Sequence, residues 1–444
     1  MEGERTSEAL LRILGLTFGI AVVVGGTVGQ GILRTPGLVA HALPSAPLIM
    51  AVWIAGGLLA LIDACAMMEL AAAVPRAGGP YAFARRAFGP FAGTMLGCND
   101  SLNGIVTNAF IAVVFGEYLQ RLGIGTAFPV NLLAVTLLAT TFAINWIGTR
   151  ESGVSQAIGS ALKGIALLLL VAVLMTAGEP SRTAQGPLPP VLGIAAIGLA
   201  VRAVIVTYAG WNASVYFCEE LHQPERNVVR STIWGILIVT TLYVLVNVSL
   251  LHVLTPAEIA ASNLPAADAL ARAIGPQGGL IVTAIAVISV AAIANLQTML
   301  LPRTIFAMAR DGALPRGLAR VADRGTPRRA MLITSLSATL LAGAGGYETL
   351  IAMGAALVIV NTAVVDLAAI SLRRTEPDLR RPFRMPLFPV PALLGLAING
   401  LLLVAVFIED PIHSSTGFAI LLAIAAVYKL ARRARPTPPS AEQI

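Results

Sequence analysis

The segment 22–37, VVVGGTVGQGILRTPG, could bind a ligand through its backbone. It belongs to a long apolar run, yet it carries four glycines between Gly25 and Gly31, and each glycine costs a helix about 1 kcal/mol relative to alanine. Unwound backbone cannot face lipid, but it can line a polar cavity. Two half-helices meeting there present opposite dipole ends, which suits a zwitterion. Close helix packing is the alternative explanation for these glycines.

A second interruption is predicted in the segment 206–221, VTYAGWNASVYFCEEL. Its midpoint, Tyr208 to Asn212, combines poor helix formers with bulky and polar side chains at mid-depth of an apolar run. If these segments are the first and sixth membrane spans, two inverted repeats of five helices would bring them face to face. The repeat is inferred from position, because no similarity between the two halves is visible.

The cysteines and histidines do not indicate catalysis or metal binding. Three cysteines are widely spaced in or beside apolar runs, and four histidines are scattered without metal-ligand spacing. The glycines of GGTVGQG follow no predicted strand and lack the GxGxxG spacing of a phosphate-binding loop. No nucleophile–base pair accompanies them. The sequence therefore predicts neither an enzyme nor a cofactor.

The composition predicts an all-α membrane protein. Of 444 residues, 57% are hydrophobic and 12% are charged, whereas soluble domains are about 25% charged. The polar start of the chain lacks a convincing cleavage site, so we expect the first apolar run to be a true span. We predict twelve transmembrane helices in a single membrane domain, 1–444, at 14–41, 46–73, 91–120, 128–148, 153–177, 191–218, 231–254, 277–302, 329–346, 348–371, 386–408 and 414–431.

The basic residues predict the orientation. With the N-terminus in the cytoplasm, 24 of the 30 Lys and Arg residues fall on inner segments. Three lie on outer segments, Arg121, Arg182 and Arg272, and the remaining three lie within spans. This bias predicts a multi-pass protein of the cell (inner) membrane with both termini cytoplasmic. It also explains the net charge of +7 without nucleic acid. Segments 74–90 and 309–330 are predicted to be amphipathic helices at the inner surface, and the tail 434–444 to be disordered.

Lys163 is one of only two lysines in a chain that otherwise uses arginine. A charge inside the membrane normally faces the protein interior and has partners. Lysine, unlike arginine, can lose its proton when it is desolvated. A functional ammonium is one interpretation, and a snorkelling or purely structural ammonium is the other.

Four motifs carry a resemblance to a known family: GQGILRTPG (29–37), MELAAAVPRAGGPYAFARRAFG (68–89), TYAGWNASVYFCEELHQPERNVVRS (207–231) and ARDGALP (309–315). With them, the chain resembles the amino acid–polyamine–organocation superfamily of transporters, and within it the L-type amino acid transporter-like members. The resemblance implies a leucine-transporter-like fold with a 5+5 inverted repeat and broken helices 1 and 6. The repeats would be 14–177 and 191–371, followed by two peripheral helices in 386–431.

The resemblance also implies a site. The amides of Gly29, Gln30 and Gly31 would bind a substrate carboxylate, and carbonyls at Val28 and around Val206 would receive the amino group. Lys163 would lie near the unwound backbone, where sodium-coupled relatives of this fold hold sodium, and would link binding to helix closure. The family commonly has Ser or Ala in place of Gln30, and often an aromatic gate in place of Val206. The candidate substrate-binding residues are Val28, Gly29, Gln30, Gly31, Ile32, Val206, Thr207, Tyr208, Ala209 and Asn212.

The implied function is sodium-independent secondary active transport of small or medium neutral L-amino acids by alternating access. Exchange and proton symport both stay open, so protons are a candidate partner beside the amino acid and the lipid bilayer. The alternatives are a cationic amino acid or polyamine carrier, which the lack of acidic residues at the two breaks disfavours, and a membrane channel. The loop 121–128 has no cysteine, so no disulfide-linked subunit is expected.

Four further charged residues have open roles. Asp63 and Asp100 fall in apolar spans and are candidates for a proton relay or an internal salt bridge. Arg34 and Arg202 either line an outer vestibule or pair with Glu117.

Overall fold

The computed structural model describes residues 9–180, 193–344, 347–409 and 411–433. These residues form helices and contain no β-strand; one isolated bridge pairs Leu14 with Leu221. The α-helices are α1 (Leu16–Thr27), α2 (Gly31–Ala42), α3 (Ala46–Ala73), α4 (Pro80–Arg121), α5 (Val130–Ile147), α6 (Thr149–Ala177), α7 (Ile194–Tyr208), α8 (Pro224–Val253), α9 (Pro256–Ala261), α10 (Pro265–Ile274), α11 (Gly278–Arg310), α12 (Arg328–Ala344), α13 (Tyr347–Thr375), α14 (Val390–Glu409) and α15 (Pro411–Arg433). Two 3-10 helices lie at Trp211–Phe217 and Arg316–Ala319.

The helices confirm an all-α membrane protein. Within the described ranges, nine helices are long and apolar enough to cross a bilayer, and the bent pair α1–α2 makes a tenth. The other two predicted spans correspond to α12 and α15, which do not meet that criterion. Arg182, predicted to lie on an outer segment, and the tail 434–444, predicted to be disordered, lie outside the described residues.

The two connections that are predicted to lie at the inner surface differ from each other. Of the helix predicted for 74–90, residues 80–88 are helical and 74–79 are not, and Gly89 with φ of 87° separates 80–88 from the rest of α4. The prediction of an amphipathic helix over 309–330 is wrong. There α11 ends at Arg310, and only the short 3-10 helix Arg316–Ala319 follows before α12. Gly312 and Gly325 both take positive φ in this connection, which ends helical backbone.

The connection before α11 holds two helices, α9 and α10, that the sequence analysis missed. α9 begins with a capping box, in which the side chain of Thr255 accepts from the Glu258 amide and Glu258 accepts from the Thr255 amide. The hydrogen bond from Arg272 is the main cause that lowers the pKa of Glu258 to about 2. The T-x-x-E pattern could have marked this helix start.

The helices pack in a repeating set of pairs. α1 contacts α8, and α7 contacts α3. α4 contacts α13, and α11 contacts α6; likewise α4 contacts α5, and α11 contacts α12. α1 is surrounded by α6, α8 and α11, and the 3-10 helix that follows α7 also contacts it.

Candidate functional site between two interrupted helices

The first interruption separates α1 from α2. α1 ends at Thr27, Val28 is extended (φ −72°, ψ 104°), and the two helix axes meet at 48°. Within the described part of the chain, no side chain caps the start of α2. The amides of Gly31 and Ile32 therefore lack intrahelical partners and are free to bind an anion.

The second interruption lies between α7 and the following 3-10 helix. α7 ends at Tyr208, Ala209 is extended, and Gly210 has φ of 109°. A Cβ atom added to Gly210 would lie 2.4 Å from the carbonyl oxygen of Gly26 in α1. Only glycine allows this backbone approach. Both predicted interruptions are therefore present, and they are in contact.

Tyr243 of α8 joins the two interruptions. Its hydroxyl is within hydrogen-bonding distance of the carbonyl oxygens of Thr27 (2.9 Å) and Thr207 (3.1 Å), which share its one proton. Its ring packs edge-on against Tyr208 and Trp53, with centroids at 5.0 and 5.6 Å. Sequence analysis missed this residue. The only signal was a tyrosine in a span, whose hydroxyl must find a partner when buried.

Lys163 of α6 reaches the end of α1. The side chain is fully buried, and its ammonium donates to the carbonyl oxygens of Gly25 (2.6 Å) and Val28 (2.9 Å). Carbonyls at a helix C-terminus lack intrahelical partners and carry the negative end of the dipole. The predicted proximity of Lys163 to the unwound backbone is present in the structure. The carbonyl of Val28, expected to receive a substrate amino group, already accepts one hydrogen bond.

A chain of polar side chains continues from α1 across three helices. Ser160 donates to the carbonyl of Ala21 at 2.7 Å, and Gln156 lies 3.4 Å from the Ser160 hydroxyl. Asn295 of α11 donates to Gln156 at 3.0 Å, and Asn145 of α5 donates to Asn295 at 2.9 Å. These interhelical hydrogen bonds fix α6, α11 and α5 around the interrupted helix α1.

The other candidate residues fall into two groups. Gly29, Gln30, Gly31 and Asn212 are partly accessible, and Ala209 is exposed. The side chains of Val28, Ile32, Thr207 and Tyr208 are buried, and the Thr207 hydroxyl donates to Thr35 at 2.8 Å. Val206 is 65% exposed, and its carbonyl accepts from the Ala209 amide. Accessible backbone at both interruptions is thus held between buried side chains.

Asp100 is a hydrogen-bond acceptor among three helical segments. Its carboxylate accepts from Tyr216 (2.6 Å), Asn361 (2.7 Å) and Thr304 (2.9 Å). Glu69, in the motif 68–89, forms ion pairs with Arg373 near the end of α13 and with Arg381 in the connection that follows it. Both carboxylates therefore have structural partners.

Free helix ends meeting inside a bundle of apolar spans, with a buried ammonium beside them, are typical of membrane transport proteins. The chain belongs to the amino acid permease family, whose sequence profile matches residues 11–428. This membership agrees with the resemblance in motifs 29–37 and 207–231, and it identifies a transporter rather than an enzyme.

Several named proteins are similar to the chain. The large neutral amino acids transporter small subunit 2 of Oryctolagus cuniculus is 31% identical over 95% of this chain and 81% of its own length. The serine/threonine exchanger SteT of Bacillus subtilis (strain 168) is 25% identical over 94% of this chain and 96% of its own length. The b(0,+)-type amino acid transporter 1 of Homo sapiens is 27% identical over 92% and 85%.

Proposed function

We propose that the protein is a sodium-independent secondary active transporter that moves small or medium neutral L-amino acids by alternating access, through exchange or proton symport. The observation that carries this proposal is the contact of Lys163 with the carbonyls of Gly25 and Val28. Its ammonium supplies a positive charge at the C-terminal end of α1. A sodium ion is then not needed to balance these carbonyls.

The two interruptions would bind the two ends of the amino acid. The free amides at Gln30, Gly31 and Ile32 suit a carboxylate, because they lie at the uncapped N-terminus of α2. The carbonyls around Val206 and Ala209 suit an ammonium group. Since each carbonyl has two lone pairs, those that already accept one bond can accept a second. Neither interrupted segment, 28–31 or 206–212, contains an acidic residue, which favours a neutral substrate.

The twelve-span arrangement with two inverted five-helix repeats is also part of the proposal. The contacts between helices support it. If each of the first five spans is exchanged with its counterpart in the second five, the contact of α1 with α8 becomes the contact of α7 with α3. The same exchange relates the contact of α4 with α13 to that of α11 with α6. The repeats are 14–177 and 191–371.

The proposed location is the inner membrane, with both termini in the cytoplasm and without a disulfide-linked subunit. The distribution of arginine supports the orientation. The ion pairs of Glu69 with Arg373 and Arg381 lie at the end of the molecule that this orientation places inside. The described cysteines, Cys65, Cys98 and Cys218, are free and lie within or beside helical segments.

Binding and uptake by the purified protein test the proposal. A melting-temperature screen against the amino acids and polyamines, with and without sodium, should show stabilisation by neutral L-amino acids independent of sodium. In liposomes preloaded with a stabilising amino acid, uptake of the labelled compound should be saturable and faster than in empty liposomes. Transport of polyamines or cationic amino acids alone would contradict the proposed substrate class. Non-saturable conduction would indicate a channel.

A further inference from the structure

A second buried polar site lies away from the helix interruptions, where α3, α13 and α14 meet. A Cβ atom added to Gly395 of α14 would lie 2.6 Å from Oδ2 of Asp366 and 3.4 Å from Oδ1 of Asp63. Asp366 belongs to α13 and Asp63 to α3, so two carboxylates from distant parts of the chain face the same point on the α14 backbone. The missing side chain of Gly395 leaves room for both.

The Asp366 carboxylate lacks the partners that the other buried carboxylates have. It is 2% exposed, and its Oδ2 atom is buried without a hydrogen-bond partner. In the described part of the chain, neither Asp366 nor Asp63 forms an ion pair. By contrast, Glu69 and Glu220 bind arginines, and Asp100 accepts three hydrogen bonds. A buried oxygen without a partner in a membrane span calls for a missing ligand or proton.

Among the described residues, no basic side chain from the surrounding helices pairs with Asp63 or Asp366. α3 contributes Cys65 beside Asp63, α7 contributes Tyr208, and α4 contributes Asp100 with its own donors. In α14, residues 390–408 include no titratable side chain, and the amide of Asn399 donates to the carbonyl of Gly395. The segment 415–426 of α15, which also packs on α13, has none either.

We propose that Asp63 and Asp366 form a proton-binding site at which one of the two carboxyl groups keeps its proton, and that binding and release of this proton drive transport. Two carboxylates facing one point in a low-dielectric interior repel each other strongly, so they do not both ionise. One proton per cycle is bound from one side of the membrane and released to the other. This coupling rests on the transport function proposed above and selects proton symport from its two modes.

A cavity beside Asp63 extends to the second interruption. Asp63, Gly395 and Asn399 line it on one side, and Tyr208 and Trp211 line it on the other. Tyr208 and Trp211 flank the interruption at Ala209 and Gly210. Loss of the proton would therefore place a second negative charge near the residues that flank the second interruption.

Infrared spectroscopy of the purified protein in lipid tests proton binding without transport. At neutral pH, the wild-type protein should show a carboxylic acid C=O stretching band that is absent from both Asp366→Asn and Asp63→Asn. Exposed Asp323 provides the control, since Asp323→Asn should keep the band. A spectrum in which neither variant loses such a band would overturn the proposal. So would a band that responds to sodium at constant pH, because the pair would then bind a metal ion.

Transport in liposomes tests the coupling. Wild-type protein should accumulate amino acid under an inward proton gradient, and Asp366→Asn should lose this accumulation while exchanging amino acid at equal pH. Gly395→Ala should behave like Asp366→Asn, because its methyl group would displace the carboxylate, whereas Gly400→Ala on the same helix meets open space. The absence of exchange by the wild-type protein would contradict the proposed transport function itself. Exchange together with gradient-driven accumulation by Asp366→Asn contradicts only the proton site.

Discussion

At the scale of single residues, the site depends on a few buried polar groups with well-defined partners. A charge inside a membrane costs at least about 2.5 kcal/mol on insertion scales unless it is satisfied. Lys163 is satisfied by two carbonyls that α1 cannot use itself. The compact ammonium of lysine fits between two carbonyls of one helix end, whereas the broad guanidinium of arginine would not.

We expect Lys163→Ala to abolish amino acid exchange and to leave the protein folded. The substitution removes the positive charge at the end of α1 and leaves the carbonyls of Gly25 and Val28 without their donor. Exchange in liposomes measures the loss, and size-exclusion elution with the melting temperature measures folding. The only other lysine gives the control, Lys429→Ala. Normal uptake with unchanged pH dependence in Lys163→Ala would remove the lysine from the mechanism.

We expect Tyr243→Phe to weaken substrate affinity more than it weakens the fold. The ring and its aromatic contacts stay, but the hydroxyl that bonds Thr27 and Thr207 is lost. One such hydrogen bond contributes about 1 kcal/mol to stability. Concentration-dependent uptake should show a raised KM, and thermal unfolding should show a small decrease in melting temperature. An unchanged KM would mean that the link between the two interruptions does not matter for binding.

Sequence reasoning found the residues that are unusual in themselves and missed those defined by distant partners. The glycines at 25–31 and the isolated Lys163 deviate from what a membrane helix normally contains, so they could be recognised. Tyr243 and Asp366 look ordinary in the sequence. Their importance comes from contacts with Thr27 and Asp63, which are more than two hundred residues away in the chain.

At the scale of secondary-structure elements, the interruptions follow from close backbone contact as well as from low helix propensity. Gly26 and Gly210 approach each other so closely that neither tolerates a Cβ atom, and Gly210 also has positive φ. The two explanations offered for the glycines, unwinding and close packing, therefore both apply. They act at neighbouring positions of the same segment.

We expect Gly210→Ala to abolish transport, because its methyl group would lie 2.4 Å from the Gly26 carbonyl and would force the two interruptions apart. Gly198→Ala in α7 is the matched control, since an added Cβ there meets nothing within 4 Å. Exchange and melting temperature should be measured for both variants. Equal activity of the two would show that contact between the interruptions is not required.

Element boundaries were predictable where apolar runs end, and less so where local signals compete. The prediction 46–73 coincides with α3. α11 continues past Pro302, at which the sequence analysis ended the span, because the packed neighbours of a buried helix can compensate for the lost hydrogen bond. The connection 309–330 carries an amphipathic composition, but its glycines and prolines prevent a continuous helix.

At the scale of the whole molecule, ion pairs join helical segments on the side that the arginine distribution predicts to be cytoplasmic. Arg303 of α11 holds Glu220 with two hydrogen bonds of 2.9 and 3.0 Å, and both side chains are buried. Arg310 holds Glu219 at 2.7 Å. Glu219 and Glu220 follow the second interrupted span, so these pairs join the end of that span to α11.

Glu219 is the more accessible of the two carboxylates and therefore the better one to perturb. Burial disfavours its charge, but hydrogen bonds from Arg310 and from the Ala77 amide outweigh this effect and lower its pKa below the ordinary value. A lowered pKa means that the ion pair stabilises this arrangement of the helices at neutral pH. This contribution disappears as the pH falls through the lowered pKa of Glu219.

We expect Glu219→Gln to shift the protein toward an inward-open state. Loss of the ion pair should weaken the closed state by about 1 kcal/mol, roughly a fivefold change in population. Cys218, which is fully buried beside Glu219, reports this opening in a background with Cys65 and Cys98 replaced by alanine. A thiol reagent applied from the cytoplasmic side should modify Cys218 several times faster in Glu219→Gln. Glu225→Gln, at an exposed pair, should leave the rate unchanged. Equal rates in both variants would show that the Arg310–Glu219 pair does not control inner closure.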